Sequence, residues 1–167
     1  MHEAGLSQAC LKWPNDVVIG SRKLAGTLIE TSSHASGNGR LIIGVGLNVR
    51  MPRAAGQSIE QPWIDMTSLL PTSPSRNRLV ADLISQLCRA IDEFQRDGMQ
   101  AFIDYWRQYD GLYNRAVTLE AGGHCLEGIC RGIDCSGAIM LERNGRITHH
   151  HAGDISIRAT ASRRVAV

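Results

Sequence analysis

Hydrophobic positions in the first fifty residues fall into short β-branched runs separated by turn residues, a pattern of strands rather than helices. Leu11 and Val17 to Ile19 flank Pro14-Asn15-Asp16. That tripeptide reads as a turn, because proline fixes φ and Asn and Asp side chains bond to nearby backbone. Gly20-Ser21 reverses the chain again, and "RKLAGTLIETS" returns as a second extended run. The third run, "RLIIGVGLNV", is apolar on both faces, which predicts a buried strand. Gly44 and Gly46 stand two apart and so share one face of it. Glycine weakens a strand unless something must approach its backbone closely. A closely packed helix and a ligand lying flat on that face satisfy this condition equally.

Residues 51–75 form a long Pro-, Ser- and Thr-containing connection with Trp63 and Ile64 isolated inside it. Connections of this length are usually functional or disordered. Trp63 either pins the loop to the core or offers a stacking surface. Beyond it, Val80, Ile84, Leu87, Ile91 and Phe94 mark one stripe of a helix, with Ser75 or Asn77 as N-cap. Gly98 ends that helix, and "MQAFIDYWRQYD" begins another. Core packing is the expected role of the stripe and of Phe102, Tyr105 and Trp106. From Val117 onward five short runs alternate with Gly-Gly, Ser-Gly and Asn-Gly turns, which predicts a small β-barrel or sandwich. Asn144-Gly145 is a strong hairpin signal.

Composition narrows the function classes. The chain has 167 residues, 43% hydrophobic and 20% charged, with a net charge of +2. This is ordinary for a globular domain with a small appendage and gives no bulk argument for nucleic-acid binding. No apolar run has the length of a membrane span, and the N-terminus lacks a signal pattern, so a cytoplasmic protein is expected. The five cysteines include no C-x-x-C pair. Cys125 and Cys130 lie five apart and would face opposite sides of a strand. Buried cysteines and a partly exposed His149-His150-His151 strand are therefore expected, with no metal site.

At this point "KWPNDV", "RKLAGTLIE" and "IGVGLNV", followed by two helices, "CRGID" and "GDISIR", resemble the signature series of biotin protein ligases. The resemblance spans nearly the whole chain. It implies an α+β fold, with the second half of a class II synthetase-like mixed sheet and its helices over residues 1–113. A small SH3-like β-barrel would follow over 114–160, and a tail over 161–167. It also implies an ATP-dependent ligase that attaches biotin to a lysine of a biotin carboxyl carrier protein through biotinyl-AMP.

The implied chemistry gives the opening motif a purpose. Two anions, biotin's carboxylate and the α-phosphate of ATP, must meet, so a fixed cation is required where they collide. Lys23 matches that catalytic and biotin-contacting position. Gly26, Leu28, Gly44 and Gly46 would line the biotin pocket. Lys12, Asn15, Asp16 and Asn48 would lie near the phosphates and Mg²⁺. Trp63 would stack on adenine, and Arg131 would reach ATP phosphates with its planar fork.

The resemblance also implies a glycine- and arginine-rich loop ahead of the KWPND motif, and no such segment occurs among these residues. "MHEAGLSQAC" reads as the tail of a helix leading into the motif. The expectation is a truncated, impaired ligase without a winged helix and hence without DNA binding. A homodimer is a further implication. The alternative is a non-catalytic remnant serving as an oligomerisation or interaction module.

Overall fold

The two turns around Asn15 and Gly20 divide the first segment into strands β1 (Ala9–Lys12), β2 (Asp16–Ile19) and β3 (Arg22–Ser33). This is a computed structural model, and it describes residues 6–33, 39–52, 56–121, 123–153 and 155–160. With β4 (Gly39–Leu47) these strands form an antiparallel sheet in the order β1-β2-β3-β4. The Pro14-Asn15 turn gives Leu11 a strand of its own, so there are four strands where three extended runs are expected. The helix tail expected before the motif is absent over residues 6–10. Ala9 and Cys10 are already extended, opposite Ile19 and Val18. Residues 1–5 lie outside the described set.

Leu24 and Met66 are almost fully buried and join Leu6, Ala9, Ile19 and Ile64 in one core. Leu47 and Leu79 pack against it. Each fully buried Leu, Ile or Met side chain contributes about 1.5–3 kcal/mol. The connection is thereby drawn onto the sheet at Ile64 and Met66. Asp65 lies between these two anchors and caps the 3-10 turn Met66–Ser68. Its Oδ1 accepts from Ser68 N at 2.9 Å and Ser68 Oγ at 2.6 Å, while Oδ2 accepts from Met51 N at 2.8 Å.

Helix α1 (Arg76–Asp97) starts at Ser75, whose Oγ accepts from Arg78 N, and ends at Gly98, where φ is +66°. Two expectations of burial fail. Val80, Ile84 and Phe94 are each more than half exposed, and so are Leu41 and Ile42 on β4. An amphipathic stripe sets which face needs a partner. Among the described residues none covers these faces.

The chain divides into two compact units, Met1–Cys88 and Arg89–Val167, so the division falls inside α1. In the second unit a 3-10 stretch, Gly98–Phe102, leads into α2 (Ile103–Tyr109). Ile103 is buried there and Phe102 and Trp106 are half-buried, but Tyr105 is exposed, contrary to a core role. Asp110 accepts from Trp106 Nε1 and Leu112 N at the helix end. Burial pushes its carboxyl above the ordinary value.

All five predicted runs beyond Val117 are strands: β5 (Ala116–Ala121), β6 (His124–Ile133), β7 (Ile139–Arg143), β8 (Arg146–His150) and β9 (Ile155–Ala159). They form an antiparallel sheet in the order β8-β7-β6-β5-β9. Asn144 and Gly145, both at positive φ, make the β7–β8 hairpin turn. Val117, Leu119, Cys130, Ile133, Ile139, Leu141 and Ile157 are its buried hydrophobic residues. Cys125 is exposed while Cys130 is buried, as a period of two requires. Burial raises the Cys130 thiol to about 11. The wider expectation of buried cysteines fails at Cys88, Cys125 and Cys135, which are exposed.

Candidate active site

An irregularity between β2 and β3 builds the site. Val17 pairs with Ala25 but Val18 pairs with Lys23, so Leu24 is an extra residue in the ladder. Such a bulge re-aims neighbouring side chains. Leu24 goes to the core, and Lys23 lines an open groove of about 720 Å³. That volume lies within the range of small-molecule sites.

Lys23 Nζ lies 2.5 Å from Asp16 Oδ1. The pair passes over Gly26: a β-carbon there would stand 2.9 Å from Lys23 Cε and 3.1 Å from Asp16 Oδ1. Glycine at 26 is therefore what lets the ammonium lie beside the sheet. The Lys23 backbone is fixed as well. Its N–H donates to Pro62 O at 2.8 Å, and its carbonyl accepts from Ile64 N at 2.9 Å. Asn48 Nδ2 closes this junction by donating to Lys23 O and Ile64 O, both at 3.2 Å. On the other side Asn15 Nδ2 donates to Thr27 O at 2.7 Å, tying the KWPND turn to β3.

The groove floor is the face shared by Gly26, Leu28, Gly44 and Gly46. Gly26 pairs with Gly46 and Leu28 with Gly44. A β-carbon at 44 or 46 would meet only Leu28 O at 3.7 Å or Gly26 O at 3.9 Å. These are ordinary contacts, so no helix presses on the described floor. Among the described residues the backbone of this floor is left bare.

Trp63 lines the groove beside Ile59 and Gln61. Its Nε1 donates to Gly56 O at 3.1 Å. The groove thus brings together Lys23, Gly26, Leu28, Gly44, Gly46, Asn15, Asn48 and Trp63. Asp16 reaches it through Lys23. Lys12 pairs with Asp16 at the end of β1 and is not a lining residue.

Arg131 belongs to the second unit, on β6, where the register with β7 shifts between Cys130 and Ile133. Its Nε donates to Glu142 Oε2 at 2.5 Å and its Nη1 to Asn114 Oδ1. Two of its three nitrogens are so engaged.

The motifs do not single out Gly56, Ile59, Gln61 or Asp65. Asp65 carried a signal, since an acidic residue three before Ser68 has the spacing of an N-cap. Ile59 and Gln61 enter the groove, and Gly56 meets Trp63, only through the path of the connection, which local pattern does not specify.

Among the described residues no three His, Cys, Asp or Glu side chains gather into a metal cage. Mg²⁺ differs from zinc here, because it is commonly held by one or two carboxylates together with substrate phosphates. Asp16 supplies one carboxylate, so the donor set fits a phosphate-borne Mg²⁺.

Residues 3–48 match the biotin/lipoate A/B protein ligase family. Over 159 residues the chain is 35% identical to the bifunctional ligase/repressor BirA of Escherichia coli, covering 95% of this chain and 49% of the relative. It is 34% identical to the biotin–[acetyl-CoA-carboxylase] ligase of Mycobacterium tuberculosis, covering 87% of this chain and 52% of that protein. The chain thus spans about half the length of these curated relatives. A biotin protein ligase from Aquifex aeolicus, solved with biotin and ATP, has the same fold with a TM-score of 0.75 at 20% identity. The match covers 91% of this chain and 62% of that one.

Proposed function

The chain belongs to the biotin/lipoate A/B protein ligase family, and from that premise we propose that it carries the adenylate-forming groove of a biotin–carrier ligase. One observation carries the reading: a lysine held by a carboxylate at the end of a strand face stripped to bare backbone. A flat bicyclic ring lies on Gly44 and Gly46, and its carboxylate reaches Lys23. A carboxylate oxygen then attacks the α-phosphorus of ATP, the bond to the β-phosphate breaks, and pyrophosphate leaves. The neutral ε-amine of a carrier lysine attacks the acyl carbon, the acyl–phosphate bond breaks, and the amide forms with release of AMP and the amine's proton to solvent.

Lys23 neutralises the two anions as they approach and the charge that develops at phosphorus. Asp16 keeps the ammonium over the floor rather than in solvent. Asn15 and Asn48 hold the turn and the connection in register, with their remaining amide atoms toward the phosphates. Trp63 is the wall for the adenine ring. Asp16 would be the protein carboxylate for a Mg²⁺ carried in on the phosphates, which would supply further charge neutralisation. Arg131, held by Glu142 and Asn114 within its own unit, is proposed as a phosphate contact on the resemblance alone. Residues 114–160 are an SH3-like module and residues 1–113 the synthetase-like part, working in the cytoplasm on a biotin carboxyl carrier protein.

The test is a graft. Residues 6–160 replace their counterpart in the Escherichia coli relative, and biotin-dependent exchange of labelled pyrophosphate into ATP is measured. Exchange is expected in the graft. Its absence in a folded graft contradicts the reading.

A second reading, self-association of the chain, is favoured by β4. It is an edge strand carrying exposed Leu41 and Ile42, and such edges pair with other chains. Sedimentation of the 167-residue protein and of Ile42→Lys tests it. A dimer weakened by the lysine supports it, and a monomer in both removes it.

A further inference from the structure

Gly56 is buried, and its glycine has no conformational cause. Six of the described glycines have positive φ, and Gly56 is not among them. Its backbone is one that any residue can adopt. The reason is space. A β-carbon at 56 would stand 2.2 Å from Trp63 Cζ2, 2.9 Å from Cε2 and 3.1 Å from Cη2. The indole therefore rests against the bare α-carbon. The same residue accepts the ring's N–H through its carbonyl at 3.1 Å. Gly56 is itself anchored, donating its N–H to Pro52 O at 3.0 Å.

The main chain at Trp63 is already tied to β3 on both sides, through Pro62 O and Ile64 N. What remains to be set is the ring. A tryptophan ring with a fixed Cα has a few rotamers, and most would swing it away from the groove. Packing on one side and a hydrogen bond at the edge together select one. A ring so held meets a planar ligand without a loss of rotamer freedom on binding, which is the value of preorganisation.

We propose that Gly56 is a positioning residue for a planar heteroaromatic base. It sets the orientation in which the Trp63 ring meets that base, and so controls affinity for the nucleotide without touching it. The inference rests on the reading of Trp63 as the adenine wall.

The experiment titrates ATP into the ¹⁵N-labelled 167-residue chain and follows the Trp63 indole N–H resonance, assigned by its loss in Trp63→Phe. In Gly56→Ala the added methyl displaces the ring. The resonance moves in the free protein, and ATP binds about tenfold more weakly, the scale of a lost base–aromatic stack. Biotin titration of the same variant is unchanged. Phenylalanine lacks the second ring and the N–H, so Gly56→Ala made on the Trp63→Phe background weakens ATP by no more than about twofold. This double variant separates ring placement from a general defect of the connection. Equal weakening on both backgrounds, or unchanged ATP affinity in Gly56→Ala, overturns the inference while leaving the nucleotide reading intact. A parent chain with no response to ATP overturns the nucleotide reading, and the role of Gly56 with it.

Discussion

Lys23 Nζ and Asp16 Oδ1 stand 2.5 Å apart above the bare α-carbon of Gly26. The aspartate side chain is 12% exposed and the lysine 35%. The cation is thus held in place yet remains open to a ligand. On the proposed reading, an ammonium held in this way needs no collecting before the two anions meet.

Lys23→Ala in the grafted enzyme is expected to lower biotin-dependent pyrophosphate exchange by about 10²–10³, the size of effect seen when a charge-stabilising donor is lost. Stability should change by only about 0–1 kcal/mol, because the pair is solvent-screened on the lysine side. Exchange rates and urea midpoints measure the two separately. A variant that keeps more than about a tenth of the exchange rate is incompatible with the role given to Lys23.

Asn48 has a structural role that is separable from any contact with phosphate. Its two donated bonds join β3 to Ile64, and each half-buried bond contributes about 0.5–1.5 kcal/mol. Asn48→Ala should therefore lower the thermal midpoint by several degrees, at about 4–8 °C per kcal/mol for a unit of this size. An unchanged midpoint in the absence of nucleotide means that the amide acts on the ligand alone.

The pH dependence follows from Asp65. Burial raises its carboxyl, but the Ser68 hydroxyl, the Met51 and Ser68 amides and the Thr67 hydroxyl outweigh that and hold it below the ordinary value. A depressed carboxyl contributes stability that is fully present above the unfolded value of about 3.9 and is lost as pH falls through the lower folded one. The urea midpoint of the parent should fall on acidification below about pH 4. In Asp65→Asn, less stable at neutral pH, that decline should be shallower. Parallel curves for the two proteins contradict this account.

Much of the fold was legible because its signals are local. Asn144-Gly145 announced a hairpin, since both residues must take positive φ, and the alternation around Cys125 and Cys130 gave opposite faces. Burial was less legible. Val80, Ile84 and Phe94 form a true helical stripe, and Leu41 and Ile42 a true strand, but apolarity states only that a face needs covering. At the groove, Gly44 and Gly46 could be singled out by their spacing, though not assigned between helix and ligand. The distances at their missing β-carbons show that no described helix presses there. Gly56 gave no signal at all, because its contact with Trp63 depends on how residues 57–62 run.

The central claim is that the glycine floor receives biotin with its carboxylate at Lys23. The most direct measurement is a biotin titration of the ¹⁵N-labelled 167-residue protein, read residue by residue. Leu28 is 60% exposed, so the floor is open to water, and binding weaker than micromolar is predicted. The account requires amide shifts centred on Gly26, Leu28, Gly44 and Gly46, together with their loss in Gly44→Val. Shifts confined to the second unit, or none at millimolar biotin, contradict it.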